Sequence, residues 1–160
     1  PILLEELLST IGNSCHYYAE IKHTEGISQK DHEVLCNKTL SIFKKYNLLS
    51  HTLFVSFDFS FLYYLYKKDP SLSFGWNFST LRKFTSLTEE KLSILQVLCP
   101  KEKLISLKWL EDQEKKGFLI MPWVVNEEKR IKELLEWGVD GICTDHPDRL
   151  LKIHSHMKRI

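Results

Sequence analysis

Residues 117–150 read GFLIMPWVVNEEKRIKELLEWGVDGICTDHPDRL. Leu119, Met121, Trp123 and Val125 alternate with Phe118, Ile120, Pro122 and Val124, and both series are apolar. A strand apolar on both faces is buried on both, which is the habit of a parallel sheet covered by helices. Asn126 is placed to cap a helix whose first turn carries Glu127 and Glu128, where the helix dipole favours negative charge. Ile131, Leu134 and Leu135 form its buried stripe, and Gly138 is suited to the left-handed conformation that stops it. Val139 to Cys143 predicts a second short strand, followed by Thr144, Asp145, His146 and then Pro147 at a first helical position. The stretch is therefore a βαβα unit.

The same alternation extends upstream. Ile2 to Ile11 predicts a helix stopped by Gly12-Asn13, and Cys15 to Lys22 a strand. Ser28 and Asp31 stand just before a helix that ends near Asn47. Thr52 to Asp58 is the next strand, and Asp58 or Ser60 caps a helix that stops before Asp69-Pro70. Leu72 to Asn77 predicts a further strand, with a short helical piece at Ser79 to Phe84. Between Ser86 and Gly117 two readings compete. Either Thr88 to Leu98 is a helix and Leu104 to Leu107 a strand, or Ile94 to Cys99 is the strand and Leu104 to Lys116 the helix. The second keeps the alternation and puts a Gly at a helix end, and is preferred.

Six strand-helix units imply α/β architecture with a parallel sheet, either a small open doubly wound sheet or part of a (β/α)8 TIM barrel. The chain has 160 residues, 43% of them hydrophobic, and a net charge of +1. That is material for a single domain over 1–160, with no charge excess to attract nucleic acid. No apolar run reaches the ~18 residues of a membrane span. The chain begins at Pro1, so a processed chain or a fragment is expected. The four cysteines are widely spaced with no C-x-x-C, which fits unpaired thiols in a reducing, cytoplasmic setting.

No phosphate-cradling glycine loop, nucleophile elbow or H-E-x-x-H pattern is present. Glu20 and Lys22 are the most informative charges. They lie two apart at the C-terminal end of a strand, so both side chains point the same way, at the end where parallel α/β folds carry their sites. A carboxylate there suits a hard cation, and an ammonium suits a phosphate oxygen. The competing reading is an exposed ion pair leaving a strand. Trp123 either walls a substrate pocket or packs in the core. Asp145-His146 reads as an acid/base pair or, more simply, as the cap of the last helix. His154 and His156 belong to a basic, solvated terminal helix, and His16 lies toward the wrong end of its strand.

Taken together the motifs resemble those of the glycerophosphodiester phosphodiesterases, which are (β/α)8 barrels. Residues 1–8, PILLEELL, resemble the helix before the family's third strand. Ala19-Glu20-Ile21-Lys22 resembles its E-I-K strand end, and Val55-Ser56-Phe57-Asp58 its S-F-D strand. Pro122 to Asn126 is similar to W-T-V-N with Val for Thr, and Gly138 to Pro147 to G-V-D-G-I-x-T-D-x-P. The spacing from Pro100 to Gly117 also matches, which favours the second reading of the ambiguous segment.

The resemblance implies an incomplete barrel, with strands three to eight present and the first two missing. It implies hydrolysis of a small-molecule glycerophosphodiester to glycerol 3-phosphate and an alcohol, assisted by a divalent metal, Mg²⁺ or Ca²⁺. Glu20 matches a metal-binding carboxylate, Lys22 the catalytic, phosphate-holding lysine and Trp123 the Trp on the substrate side of the barrel mouth. The family's H-R-G, E-x-D and H-D motifs have no counterpart in the 160 residues. The chain alone is therefore expected to be inactive without an N-terminal segment of the same protein. The alternatives are a truncated, non-catalytic relative that binds phospholipid head groups or a protein partner, and a lyase that yields a cyclic phosphate.

Overall fold

The computed structural model describes residues 2–22 and 26–157. Pro1, where the first motif begins, lies outside them. The chain forms two compact units, Pro1–Trp76 with Glu90–Ile94, and Asn77–Glu89 with Leu95–Ile160.

In the first unit α1 (Leu4–Ile11) carries Glu5 and Glu6 in its first turn, buries Leu8 and ends at Gly12, whose φ is +58°. Strand β1 (Tyr17–Glu20) follows, and then α2 (Gln29–Lys45). Ser28 caps α2 by accepting from Asp31 N at 3.1 Å. Strand β2 (Thr52–Ser56) leads to α3 (Phe59–Lys68), capped by Asp58, which accepts from Ser60 N at 2.9 Å. Strand β3 (Ser73–Phe78) runs from this unit into the next.

Neighbouring strands are parallel and follow chain order, β1-β2-β3. The register pairs Tyr17 with Thr52 and Glu20 with Val55, then Leu53 with Ser73 and Ser56 with Trp76. Phe54 is fully buried and meets Phe43 of α2 edge-on at 5.4 Å, and Phe43 meets Tyr17 edge-on at 5.9 Å. This aromatic chain fastens α2 to the strands.

In the second unit the end of β3 is followed by α4 (Leu81–Thr85), β4 (Val97–Pro100), α6 (Leu107–Glu114), β5 (Leu119–Ile120), α7 (Glu128–Trp137) and α8 (Pro147–Met157), while α5 (Glu89–Leu92), between α4 and β4, belongs from Glu90 onward to the first unit. The preferred reading of residues 86–117 holds. Ser106 caps α6 by accepting from Trp109 N at 3.3 Å, while Val97 to Pro100 is a buried strand. Phe78 stacks on Phe84 at 5.2 Å, and Trp109 closes on both rings. Arg130 of α7 donates to the carbonyls of Glu102 and Ile105 at 2.7 and 2.9 Å and lies over Trp137. It thereby fixes the chain after β4 to α7. No helix among the described residues is long and apolar enough to cross a membrane.

Three expectations for residues 117–150 are corrected. Regular pairing in β5 is confined to Leu119 and Ile120, with one further bridge from Trp123 to Lys101. Pro100 explains the gap, because it has no N–H to donate to the strand beside it. Nor is 139–143 a regular strand. Its N–H groups reach Ile120 O and Pro122 O, and Val125 N reaches Cys143 O at 2.9 Å. Two residues, Trp123 and Val124, thus stand between Pro122 O and Val125 N, where a regular parallel ladder has one. Pro122 cannot donate, the carboxylate of Asp140 takes the N–H of Ile120 at 2.8 Å, and the extra residue bulges. The bulge breaks the two-residue alternation, so Val124 is 47% exposed and not buried; Leu119, at the strand's start, is 48% exposed. Finally, Asn126 does not cap α7. Glu127 holds that position without a side-chain bond, because Asn126 is committed elsewhere.

Gly138 does what its position predicts. It sits at φ +92°, left-handed, with its N–H on the carbonyls of Leu134 and Leu135. Gly138→Ala is expected to cost about 1–2 kcal/mol of stability, since L-residues pay that much in this region. Equilibrium denaturation would check it, and an unchanged midpoint would refute the strain argument.

Candidate functional site

Glu20 is the last residue of β1, and Lys22 lies just beyond it. Two bonds position them. Ile21 N donates to Val55 O at 2.8 Å, extending the parallel ladder past Glu20. The fully buried hydroxyl of Ser56 donates to Ile21 O at 2.7 Å and accepts from Asp58 N at 3.1 Å. The Ser of the S-F-D motif therefore holds the E-I-K segment in place. A Ser directly after the apolar run Leu53 to Val55 was the available signal for that role, and the sequence reading did not use it.

Lys22 Nζ donates to Glu20 Oε2 at 2.5 Å, confirming that the two side chains share a direction. The Lys22 side chain is 73% exposed and that of Glu20 is 21% exposed. The other carboxylate oxygen, Glu20 Oε1, is buried with no hydrogen-bond partner among the described residues. An ionised carboxylate is acceptor-only and costly to desolvate, so an unmatched buried oxygen is a place for a donor or a cation. Glu20 thus fits one ligand position of a hard divalent metal. Among the described residues no three His, Cys, Asp or Glu side chains gather, so they do not complete such a site. Glu20 and Lys22 also border a cavity of about 470 Å³ whose apolar lining includes Leu4, Leu35 and Phe43.

Trp123 belongs to the second unit. It is half-buried, its N–H donates to Pro100 O at 3.0 Å and its carbonyl accepts from Glu102 N at 2.9 Å. The indole Nε1 donates to Cys99 O at 2.7 Å, which fixes the ring against β4.

Asn126 joins the chain's two most recognisable motifs. Its Nδ2 donates to Asp145 Oδ2 at 2.8 Å, and its Oδ1 accepts from Thr144 Oγ1 at 3.1 Å and Asp145 N at 3.0 Å. Thr144 Oγ1 in turn accepts from His146 N at 3.1 Å. Asp145 is therefore bonded to Asn126, and His146 is exposed. Gly141 belongs to the same arrangement, since a Cβ there would come within 2.9 Å of Met121 Cε. His16 is exposed and stacks on His51 at 5.3 Å, ahead of β1 and β2, and His154 and His156 are exposed on α8.

None of the four cysteines is in a disulfide. Cys36 is fully buried, and burial pushes its thiol up to about 11, with Glu33 adding to the rise. It is expected to resist a thiol reagent at pH 8 in the folded protein, whereas exposed Cys15 reacts at once. Timed labelling with peptide mapping checks this, and early modification of Cys36 would contradict it.

The sequence profile of the Glycerophosphoryl diester phosphodiesterase family matches residues 2–149. A glycerophosphodiester phosphodiesterase of Bacillus subtilis (strain 168) is 23% identical over 155 residues, 94% of this chain and 53% of that protein. The fold is similar to that of a Silicibacter pomeroyi DSS-3 protein provisionally named a glycerophosphoryl diester phosphodiesterase. That match has a TM-score of 0.87 and 23% identity, over 97% of this chain and 56% of the other. An Oleispira antarctica phosphodiesterase, solved with the product sn-glycerol-3-phosphate, aligns with a TM-score of 0.82 and 20% identity, over 95% of this chain and 60% of the other. The chain spans about half the length of these relatives.

Proposed function

Because the chain belongs to the glycerophosphoryl diester phosphodiesterase family, we propose that it forms part of a divalent-metal-dependent hydrolase. Its substrates are glycerophosphodiesters, and its products are glycerol 3-phosphate and an alcohol. The five strands and the irregular segment 139–143 correspond, on this reading, to strands three to eight of a (β/α)8 barrel. The observation that carries the proposal is the pairing of Glu20 with Lys22 at the end of β1, with Glu20 Oε1 buried and unmatched among the described residues. The glycerol-3-phosphate bound to the Oleispira relative is consistent with the product.

Glu20 would hold one position in the coordination shell of Mg²⁺ or Ca²⁺, which would supply positive charge against the phosphoryl oxygens. Lys22 donates to a phosphate oxygen and carries part of the charge that develops there. Ser56, through Ile21 O, keeps both groups at a fixed height on the strand end. Trp123, its ring pinned to Cys99 O, offers the substrate a rigid wall.

The test expresses the chain together with whatever coding sequence precedes Pro1, supplies Mg²⁺ or Ca²⁺, and identifies the product of glycerophosphodiester turnover. Release of glycerol 3-phosphate supports the proposal, and a cyclic phosphate would replace it with the lyase. Since the family's H-R-G, E-x-D and H-D motifs have no counterpart in the 160 residues, the chain by itself is expected to show no turnover. If the preceding sequence adds none either, the non-catalytic head-group binder takes over. In the active protein Lys22→Ala is expected to lower kcat/KM by about 10²–10³-fold, the loss typical of one oxyanion donor. Because the side chain is 73% exposed, the fold should not change. Wild-type kinetics in that variant would remove Lys22 from the site.

A further inference from the structure

Lys101 follows Pro100 at the C-terminal end of β4 and bridges Trp123 in parallel register. Paired residues of neighbouring strands point to the same face of a sheet, with the strands about 4.7–4.9 Å apart. The indole reinforces the juxtaposition, because its Nε1 bond to Cys99 O draws the ring toward the strand that carries Lys101. Lys101 is exposed, its N–H is held by Phe78 O at 2.9 Å, and its ammonium has no partner among the described residues. The adjacent carboxylate does not neutralise it, since Glu102 Oε2 lies 3.4 Å from Arg130 Nε and belongs to the α7 network. An indole ring and a lysine thus stand on paired residues of neighbouring strands.

We infer that Lys101 sets head-group specificity. It does so by selecting glycerophosphodiesters whose alcohol is a neutral polyol or an anion, and rejecting those with a quaternary ammonium. The inference rests on the reading of Trp123 as a substrate wall. A Trp face alone attracts a quaternary ammonium through its quadrupole. A lysine ammonium on the neighbouring strand opposes that attraction by like-charge repulsion, and its four-carbon stem carries three donors to hydroxyl or carboxylate oxygens. The reaction at phosphorus is unaffected; what changes is which alcohol the wall tolerates.

The experiment uses the protein extended by the coding sequence that precedes Pro1, with divalent metal withheld so that no turnover occurs, labelled with ¹⁵N at the tryptophan indoles and with the Trp123 signal assigned through Trp123→Phe. Glycerophosphoglycerol and glycerophosphocholine are titrated separately, and each Kd is read from the Trp123 signal. Glycerophosphoglycerol is expected to bind about five- to tenfold tighter than glycerophosphocholine in the wild type. Lys101→Met should bring the two together, and Lys101→Glu should reverse the order. If both compounds move the Trp123 signal but Lys101→Met leaves their ratio unchanged, the inference falls while the wall stands. If neither compound moves it, Trp123 does not face substrate, and the wall and the inference fall together.

Discussion

Glu20→Gln is expected to abolish metal-dependent turnover in the active protein, with a loss of at least about 10²–10³-fold in kcat. The substitution keeps shape and size but removes the charge that a hard cation requires. One oxygen already takes the Lys22 ammonium at 2.5 Å, so the buried Oε1 is what remains for a metal or a substrate donor. The accompanying loss of the ion pair should cost little stability, because its lysine is largely solvated. Circular dichroism and thermal unfolding should therefore match the wild type while activity disappears, and metal titration of the variant should show weakened binding. Normal turnover in Glu20→Gln would remove the carboxylate from the reacting centre and with it the main support for the proposed function.

Phe54→Ala is expected to cost about 3–5 kcal/mol, the usual penalty for emptying a buried aromatic site. Phe54 is fully buried, stands in the middle of β2 and meets Phe43 of α2 edge-on. Deleting its ring leaves a void between a strand that is paired on both sides and the helix that covers it. Total stability of ordinary domains is only about 5–15 kcal/mol, so this one change removes a large share. Denaturant unfolding with an unchanged m-value would measure it. A loss below about 1 kcal/mol would mean that the surrounding chain collapses into the space. The effect also reaches Glu20 and Lys22, because β2 supplies the Val55 and Ser56 partners that hold the end of β1.

Much of the site was legible because it depends on local rules. Two residues apart on a strand means one face, and Glu20 and Lys22 duly meet. Ser28, Asp58 and Gly138 act at helix ends through bonds that span only a few residues, so their roles follow from the neighbouring sequence. Asn126 shows where that reasoning fails. An Asn followed by two glutamates looks like a cap, yet its amide bonds residues 144 and 145, about twenty positions downstream. The long-range partners outcompete the local one, and no periodicity reveals them. The same holds for Ser56, whose buried hydroxyl serves Ile21, 35 residues away in sequence.

Residues 117–150 mark the division. By itself the sequence determined the alternation of strand and helix, the parallel α/β class and the family, because hydrophobic periodicity, caps and short motifs are written in consecutive residues. It also placed Glu20 and Lys22 together. Only the tertiary structure decided how residues 118–125 and 139–143 pair. Pro100 and Pro122 lack the N–H groups that a continuous ladder needs, and a bulge at Trp123 and Val124 takes up the mismatch. Tertiary structure likewise left one oxygen of Glu20 buried without a partner among the described residues and set Lys101 beside Trp123. Those outcomes depend on which strand lies next to which, a relation between residues distant in the chain that no local pattern encodes.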